Sequence, residues 1–223
     1  MERKEFYESC ERLSDFRMPR WDELPEIDLY MDQVIAIAEK YLRPIAADGE
    51  NLLTQAMINN YVKNKIVPPP QKKRYAREQI ARILIICALK HVAGISSISE
   101  MINSLLQVKP MSEVLNEFAE KFERELGAKR EYALSAADKN ESAELSLMNI
   151  AMENAIKANS SRLISEFAYG AVCARKQREE EERRLAEQQA EEQKRNAEKA
   201  QRESARAAKA TKPKAAEEKA SEE

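Results

Sequence analysis

The sequence predicts an all-α fold, and three observations support this prediction. Glycine is scarce, with four residues in 223, whereas alanine, glutamate, lysine, leucine, glutamine and arginine are abundant. These are the residue types that lose little side-chain freedom in a helix. Large apolar side chains recur at helical spacings of three and four. Repeated short β-branched runs with glycine turns, which a sheet protein needs, are absent.

The pattern divides the chain into four parts. Residues 1–24 predict a short helical segment that docks on the main domain through Phe6, Cys10, Leu13 and Phe16. Residues 25–110 form the main domain, with four helices. Residues 111–174 form a helical extension of two longer helices. Residues 175–223 are a low-complexity charged tail rich in alanine, glutamate, lysine and arginine, which we expect to be helical at first and then disordered.

The helix boundaries of the main domain follow from capping and breaking residues. The first helix is predicted to start at Asp28 as its N-cap and to end at Pro44. Thr54 is a natural N-cap for a second helix over 55–64. The run Pro68-Pro69-Pro70 then forces an extended segment.

After this extended segment, a largely buried third helix runs from about residue 76 to 91, because most of its positions are apolar. Ser96 or Ser97 is predicted to cap a short fourth helix, which Pro110 closes.

A basic segment stands out in an otherwise acidic chain. Between Thr54 and Lys90 there are eight basic residues against Glu78 alone, a net charge of +7, while the whole chain carries −2. Such a basic island is typical of a localised phosphate-binding surface. The alternative from charge alone is a solvated basic face, and the two interpretations are about equally good.

The stretch 53–102 resembles the DNA-binding domain of the MerR-type regulators. In that family the recognition helix begins at a threonine and ends before a Pro-Pro pair, and a short basic wing (here residues 71–75) and a further helix follow. The residues that carry the resemblance are Thr54, Ile58, Tyr61, Ile66, Val67, Pro68, Pro69, Lys73, Arg74, Tyr75, Gly94, Ile95, Ser96 and Ile98. With residues 24–34 added, the sequence looks closer still to a bacterial domain family of unknown function that carries this MerR-like core.

The chain departs from the MerR pattern at three places. Asn59 stands where that family has an arginine on the second turn of the recognition helix, so the contact made by that arginine is not carried over. Lys65 stands where that family closes its recognition helix with glycine, so a strained helix end is expected at Asn64 or Lys65. The short wing lacks glycine, which disfavours a full two-stranded hairpin. The resemblance otherwise implies a helix-turn-helix core of the winged-helix type, followed by a helical extension.

The resemblance and the physics of a helix N-terminus together indicate a candidate DNA-binding surface. With its apolar residues turned inward, the helix after Thr54 projects amides that suit adenine and a lysine that suits phosphate or guanine. The predicted DNA-binding residues are Thr54, Gln55, Asn59, Asn60, Lys63, Lys72, Lys73, Arg74 and Tyr75. Packing is the competing interpretation for Tyr75, and a solvated face is the competing one for the two asparagines.

Enzymatic and metal-dependent functions find little support. There is no phosphate-cradling glycine loop and no nucleophile or zinc-protease motif, so no cofactor or metal is expected. His91 has no cluster of cysteine, histidine or carboxylate residues nearby and is interpreted as a helix-end residue and not as a metal ligand, and Cys87 is interpreted as a small core residue. The three cysteines are widely spaced, and the longest apolar run has seven residues, which favours a cytoplasmic protein without a membrane span.

The function that these features favour is sequence-specific binding of double-stranded DNA by a bacterial transcriptional regulator that is not an enzyme. A homodimer seam is predicted on the helix 145–167, from Leu145, Met148, Met152, Ile156, Leu163 and Phe167. Packing of that face on its own domain is the competing interpretation. The alternative function is a protein-interaction scaffold that keeps the helix-turn-helix fold and uses its charged tail to bind a partner.

Overall fold

The computed structural model describes residues 2–47, 49–138 and 142–210, and within them the protein is mostly helical, which confirms the all-α prediction in its general form. The helices are α1 (Glu2–Ser14), α2 (Met31–Leu42), α3 (Gln55–Lys63), α4 (Arg77–Leu89), α5 (Ile95–Leu105), α6 (Met111–Ala137) and α7 (Ala143–Ala210). Two short strands, β1 (Leu29–Tyr30) and β2 (Arg74–Tyr75), pair antiparallel. The disorder predicted for the end of the tail falls largely on residues 211–223, which lie outside the described residues.

The chain divides into two compact units, one up to Glu166 and one from Phe167 onward. Over its described residues the second unit is a single helix whose side chains are mostly exposed. Ion pairs one turn apart support this helix, as between Arg175 and Glu179 at 3.3 Å. No apolar core is needed for such a helix, because its hydrogen bonds are internal to the helix.

The core of the first unit is built around α4. Every residue of α4 from Gln79 to Cys87 is buried, because this helix is apolar on almost all sides and is surrounded by α2, α5 and α6. Two fully buried aromatic residues, Tyr61 of α3 and Tyr75 of β2, fill space in the same core. Burial raises the pKa of the Cys87 thiol to about 12, so this cysteine is an unreactive core residue, as predicted.

The main core continues into α6. Val114 and Leu115 are buried in it, and Phe118 and Phe122 pack against it. The ring of Phe122 also meets that of Phe16 edge to face, with centroids 5.5 Å apart. The first half of α6 is therefore part of the main domain's core.

The N-terminal segment docks along α6. Arg130 Nε donates to the carbonyl oxygen of Cys10 at 2.8 Å. The carboxylate of Glu123 accepts from the backbone N–H of Met18 at 2.8 Å and pairs with Arg20, also at 2.8 Å. Arg130 thus holds α1 itself, and Glu123 satisfies a backbone N–H group of the segment between α1 and α2.

Of the helix starts predicted from capping residues, one is confirmed and two are wrong. Thr54 Oγ1 accepts from the N–H of Met57 at 3.2 Å, so Thr54 is the N-cap of α3. Asp28 is not a cap: residues 29 and 30 are held extended by the pairing with β2, so Tyr30 precedes α2. Gly94 caps α5, because its carbonyl already accepts from Ile98 at 2.9 Å.

The first part of α7 packs against α1 and the end of α6 through one face and leaves another uncovered. Ile150 is buried in a small second core with Ala133 and Ala137. The residues on the uncovered face, which we call the α7 apolar face, are between 55 and 64% exposed: Leu145, Met148, Met152 and Ile156. The helix thus packs on its own domain through Ile150, while Phe118 and Phe122 pack on the main core and do not cover the α7 apolar face.

Candidate nucleic-acid interface

Helix α3 separates its apolar and polar side chains onto opposite sides. Ile58 and Tyr61 are fully buried, while the predicted contact residues Gln55, Asn59, Asn60 and Lys63 are all exposed. Thr54 is half-buried, and its hydroxyl is occupied by the N-cap bond. The exposed face of α3 therefore presents amide groups and one ammonium group to solvent.

The end of α3 is strained at the position where the MerR pattern has glycine. Lys65 has a φ of 58°. Ile66 N–H donates to Tyr61 O at 2.8 Å and Lys65 N–H donates to Val62 O at 3.0 Å, which is the Schellman arrangement. A lysine in this left-handed conformation costs about 1–2 kcal/mol relative to an ordinary one. The strained helix end expected from the sequence is confirmed at Lys65.

The wing is a tight two-residue hairpin, which is more regular than the sequence suggested. Gln71 and Arg74 exchange backbone hydrogen bonds at 3.0 and 2.8 Å. Lys72 and Lys73 form the turn between them with φ values of 47° and 65°. Positive φ at both central residues is the requirement of a type I′ turn, which glycine and asparagine normally meet. The hairpin forms without glycine because two lysines take this conformation.

Side-chain hydrogen bonds fix the segment that carries the wing. Gln79 Nε2 donates to the carbonyl oxygen of Pro68 at 2.8 Å, and Ser99 Oγ donates to that of Ile66 at 3.1 Å. Both side chains are buried, so these bonds are shielded from water. The extended proline segment is thus held against α4 and α5.

An open groove of about 960 Å³ runs between the start of α2, the exposed face of α3 and the wing. It brings together five of the predicted residues, namely Gln55, Asn59, Lys63, Lys73 and the almost fully buried Tyr75. Asn60, Lys72 and Arg74 are exposed outside this lining. Asn60 also accepts a hydrogen bond from Asn64 at 2.8 Å, which ties it to the end of α3.

Among the groove residues that the sequence analysis missed are two polar ones, Tyr30 and Asp32. Both precede or begin α2, and only the β1–β2 pairing brings them next to the wing. The guanidinium of Arg74 lies over the ring of Tyr30, so a predicted phosphate contact is partly engaged within the chain.

Tyr75 does not belong to the surface. It is 1% exposed, and burial raises the pKa of its hydroxyl. Its place on the DNA-binding list is therefore corrected in favour of the packing interpretation: pairing with Leu29 turns its side chain into the core while its neighbour Arg74 faces out.

Other kinds of site are not evident in the part of the chain that the structure describes. Those residues contain no group of three or more His, Cys, Asp or Glu side chains able to hold a metal ion. Within the same residues no helix has both the length and the apolar character to cross a membrane. His91 lies just after the end of α4, and the Glu50 carboxylate is 2.8 Å from its Nε2.

Comparison with known proteins gives one match. No curated protein and no solved structure is similar to the chain. A match to one family covers α2 to α5, the wing and the first half of α6, and so includes the whole groove. Residues 19–124 are similar to a domain of unknown function, DUF1836.

Proposed function

We propose that this protein binds double-stranded DNA through a MerR-like, winged helix-turn-helix core and acts as a bacterial transcriptional regulator without enzymatic activity. In this proposal α3 enters the major groove and the wing contacts the flanking backbone. Gln55 and Asn59 supply amide groups of the kind that pair with adenine. Lys63 and Lys73, on the walls of the same groove, supply positive charge for phosphate.

The observation that carries the proposal is the backbone of the wing. Lys72 and Lys73 both hold a conformation in which glycine would be relaxed. Strained non-glycine residues cluster at functional sites because the side chain has a use that offsets the cost. At an exposed hairpin tip next to an exposed helix face, the use that fits two lysines is contact with phosphate.

The division of roles follows from reach and charge. Phosphate contacts position a protein on DNA and carry most of the salt dependence, while base contacts carry specificity. The wing lysines and Arg74 belong to the first class, and the α3 amides to the second. Asp32, a carboxylate on the groove wall, opposes phosphate and limits affinity for DNA in general.

A second function is favoured by the α7 apolar face. Exposed apolar residues at helical spacing mark an interaction surface. We propose that the segment 145–167 pairs with that of a second chain, since two reading heads discriminate a palindromic site better than one. The alternative in which the fold serves only as a protein-interaction scaffold also uses this face, together with the charged tail.

The direct test is a titration of mixed-sequence duplex DNA with the full chain, measured by fluorescence anisotropy. The titration is repeated at salt concentrations between about 50 and 200 mM, over which phosphate contacts are progressively screened. Four cations, at positions 63, 72, 73 and 74, predict a slope of log affinity against log salt of about −3 to −4. The variant Lys63→Gln should reduce the slope by about 1. Lys129→Gln, an exposed lysine of α6 far from α3 in sequence, is the charge-matched control and should leave it unchanged.

Absence of binding at about 50 mM salt, where electrostatic contacts are strongest, would leave the scaffold function as the better one. An equal loss of slope in Lys63→Gln and Lys129→Gln would mean that DNA is attracted by overall charge and not by the groove. If binding occurs, chromatin pull-down with sequencing identifies the operator.

A further inference from the structure

A second, smaller pocket lies on the other side of the wing, between the proline segment and the start of α4. Its volume is about 280 Å³. At roughly 30 Å³ for each non-hydrogen atom, which is the volume of one water molecule in the liquid, the pocket holds a molecule of about ten non-hydrogen atoms. Pro68, Pro69, Gln71 and Arg74 contribute the wall on the side of the wing. Leu106 and Met111 contribute apolar surface, and the first turn of α4 contributes polar surface.

One wall of this pocket is formed by Arg82, a largely buried residue whose guanidinium forms no hydrogen bond within the described part of the chain. The residue is 6% exposed, and among the described residues it makes no ion pair either. A guanidinium carries five N–H donors, and those of Arg82 are available to a group that enters the pocket. Desolvation lowers the pKa of Arg82, an effect that Glu78 one turn earlier partly offsets. The arginine is thus an anchor to which an anionic group would bind favourably.

A second feature of the same pocket also favours an anion. The N-terminus of the 13-residue helix α4 forms part of the wall, through Ala76, Glu78 and Gln79. The N–H of Ala76 is taken by Gln79 Oε1 at 2.7 Å, but the N–H groups of Arg77 and Glu78 have no acceptor among the described residues. Free N–H groups and the positive end of the helix dipole attract negative charge.

The remaining charges restrict which anion fits. Two acidic residues, Asp28 and Glu78, line the pocket together with Arg74 and Arg82. A ligand with several negative charges would meet two carboxylates, whereas a single carboxylate can pair with Arg82 while the rest of the molecule is neutral or carries an amino group. The apolar side chains of Leu106 and Met111 suit a short hydrocarbon part.

We propose that this pocket binds a small molecule with one carboxylate group, which accepts hydrogen bonds from Arg82 and from the first N–H groups of α4. Duplex DNA does not suit this pocket, because Arg82 is a largely buried residue and a phosphate held in a DNA backbone has little access to it. The ligand would bridge the wing to α4. The position of the wing would then depend on the ligand. If the protein binds DNA as proposed above, its affinity for DNA would depend on the ligand as well.

The test uses acetate and glycine as probes, added to the full chain against chloride at constant ionic strength and followed by the backbone amide NMR signals of Arg77 and Glu78. Saturable shifts of these signals are expected, with glycine at least as tight as acetate. Arg82→Met should weaken binding at least tenfold, because a hydrogen-bonded charge pair is lost. Lys129→Met is the control and should bind both probes as the unmodified protein does.

At about 50 mM probe even complexes with millimolar dissociation constants approach saturation. A chemical-shift response that is still linear at this concentration would overturn the proposal. Unchanged binding in Arg82→Met would overturn it as well. If Arg82→Met does not fold, the variant Glu78→Gln tests the site instead. Loss of the carboxylate that opposes the anion should tighten acetate binding about threefold. Unchanged or weaker binding would contradict the proposal. These measurements contain no DNA, so their outcome is independent of the proposed function. DNA affinity measured with and without saturating acetate then tests the coupling alone.

Discussion

The guanidinium of Arg74 lies 4.8 Å from the ring centroid of Tyr30, and its Nη2 donates to the Tyr30 hydroxyl at 3.0 Å. These two residues also pair across the β1–β2 ladder, so the contact joins the base of the wing to the segment that starts α2. One wall of the groove is therefore positioned against another by a single side-chain pair.

Removing the Tyr30 ring should weaken DNA binding. In Tyr30→Ala, Arg74 loses both its cation–π contact and its hydrogen bond, and we expect about a fivefold loss of affinity at fixed salt, on the order of 1 kcal/mol. Tyr30→Phe keeps the ring and should lie within about twofold of the unmodified protein, as an exposed hydrogen bond contributes little. Anisotropy titration measures both. Equal affinity of all three proteins would show that this pair does not position the wing for DNA.

Glycine at the tip of the wing should separate stability from DNA binding. Lys72→Gly and Lys73→Gly each relieve a positive-φ lysine, so the free energy of unfolding should rise by about 1 kcal/mol in urea titrations. Each should also reduce the salt slope of DNA binding by about 1, because one phosphate contact is lost.

Lys65→Gly is the matched control for the wing variants. It relieves the same kind of strain at the end of α3, and should give a similar gain in stability with an unchanged salt slope. A wing variant that is stabilised and binds DNA with the full slope would contradict the assignment of the wing lysines to phosphate.

Removing the carboxylate of Asp32 should strengthen DNA binding. Asp32 lines the groove and opposes phosphate, so Asp32→Asn is expected to raise affinity about threefold at low salt, with a smaller gain at high salt where charges are screened. Asp22→Asn removes an exposed carboxylate outside the groove and should change affinity little. The same gain in both variants would assign the effect to net charge.

The Glu50–Lys90 pair should make stability sensitive to acid. Lys90 Nζ lies 2.8 Å from Glu50 and, with His91, lowers the pKa of this carboxyl from 4.5 to about 2. A carboxyl whose pKa is depressed on folding stabilises the folded state above its unfolded pKa. That contribution, on the order of 2 kcal/mol, should be fully present above pH 4.5 and disappear as the pH falls toward 2.

Glu50→Gln tests this pH dependence. It should lower the unfolding free energy at pH 7 by about 1–3 kcal/mol, because the largely buried Lys90 ammonium loses its ionic partner. Its stability should also change less than that of the unmodified protein between pH 4.5 and 2, measured by urea unfolding at each pH. Parallel curves for the two proteins over this range would refute the assignment.

The α7 apolar face predicts self-association. Sedimentation equilibrium of the full chain at tens of micromolar should show a dimer. A complex with a micromolar dissociation constant is largely assembled at this concentration. Met152→Glu places a charge in the centre of the face and should shift the equilibrium to monomer. Lys129→Glu, also on an exposed position, is the control for a charge change alone. A monomer in the unmodified protein would end the homodimer proposal.

The sequence alone determined the features that depend on neighbours along the chain. The period of three and four places Ile58 and Tyr61 on one side of α3 and Gln55 and Asn59 on the other, and the structure agrees. Thr54 caps α3 because its hydroxyl is next to the N–H groups that need an acceptor. These interactions are local, so the pattern of residue types suffices to predict them.

The tertiary structure decided what depends on segments far apart in sequence. Pairing of Leu29 with Tyr75 buries one tyrosine, moves the start of α2 and brings Asp32 to the groove. Register between strands this far apart is set by the whole core, and a shift of one residue would exchange the buried and exposed sides of β2. Arg82 gives no signal in the sequence, because the burial of its charge arises only when the proline segment closes over α4.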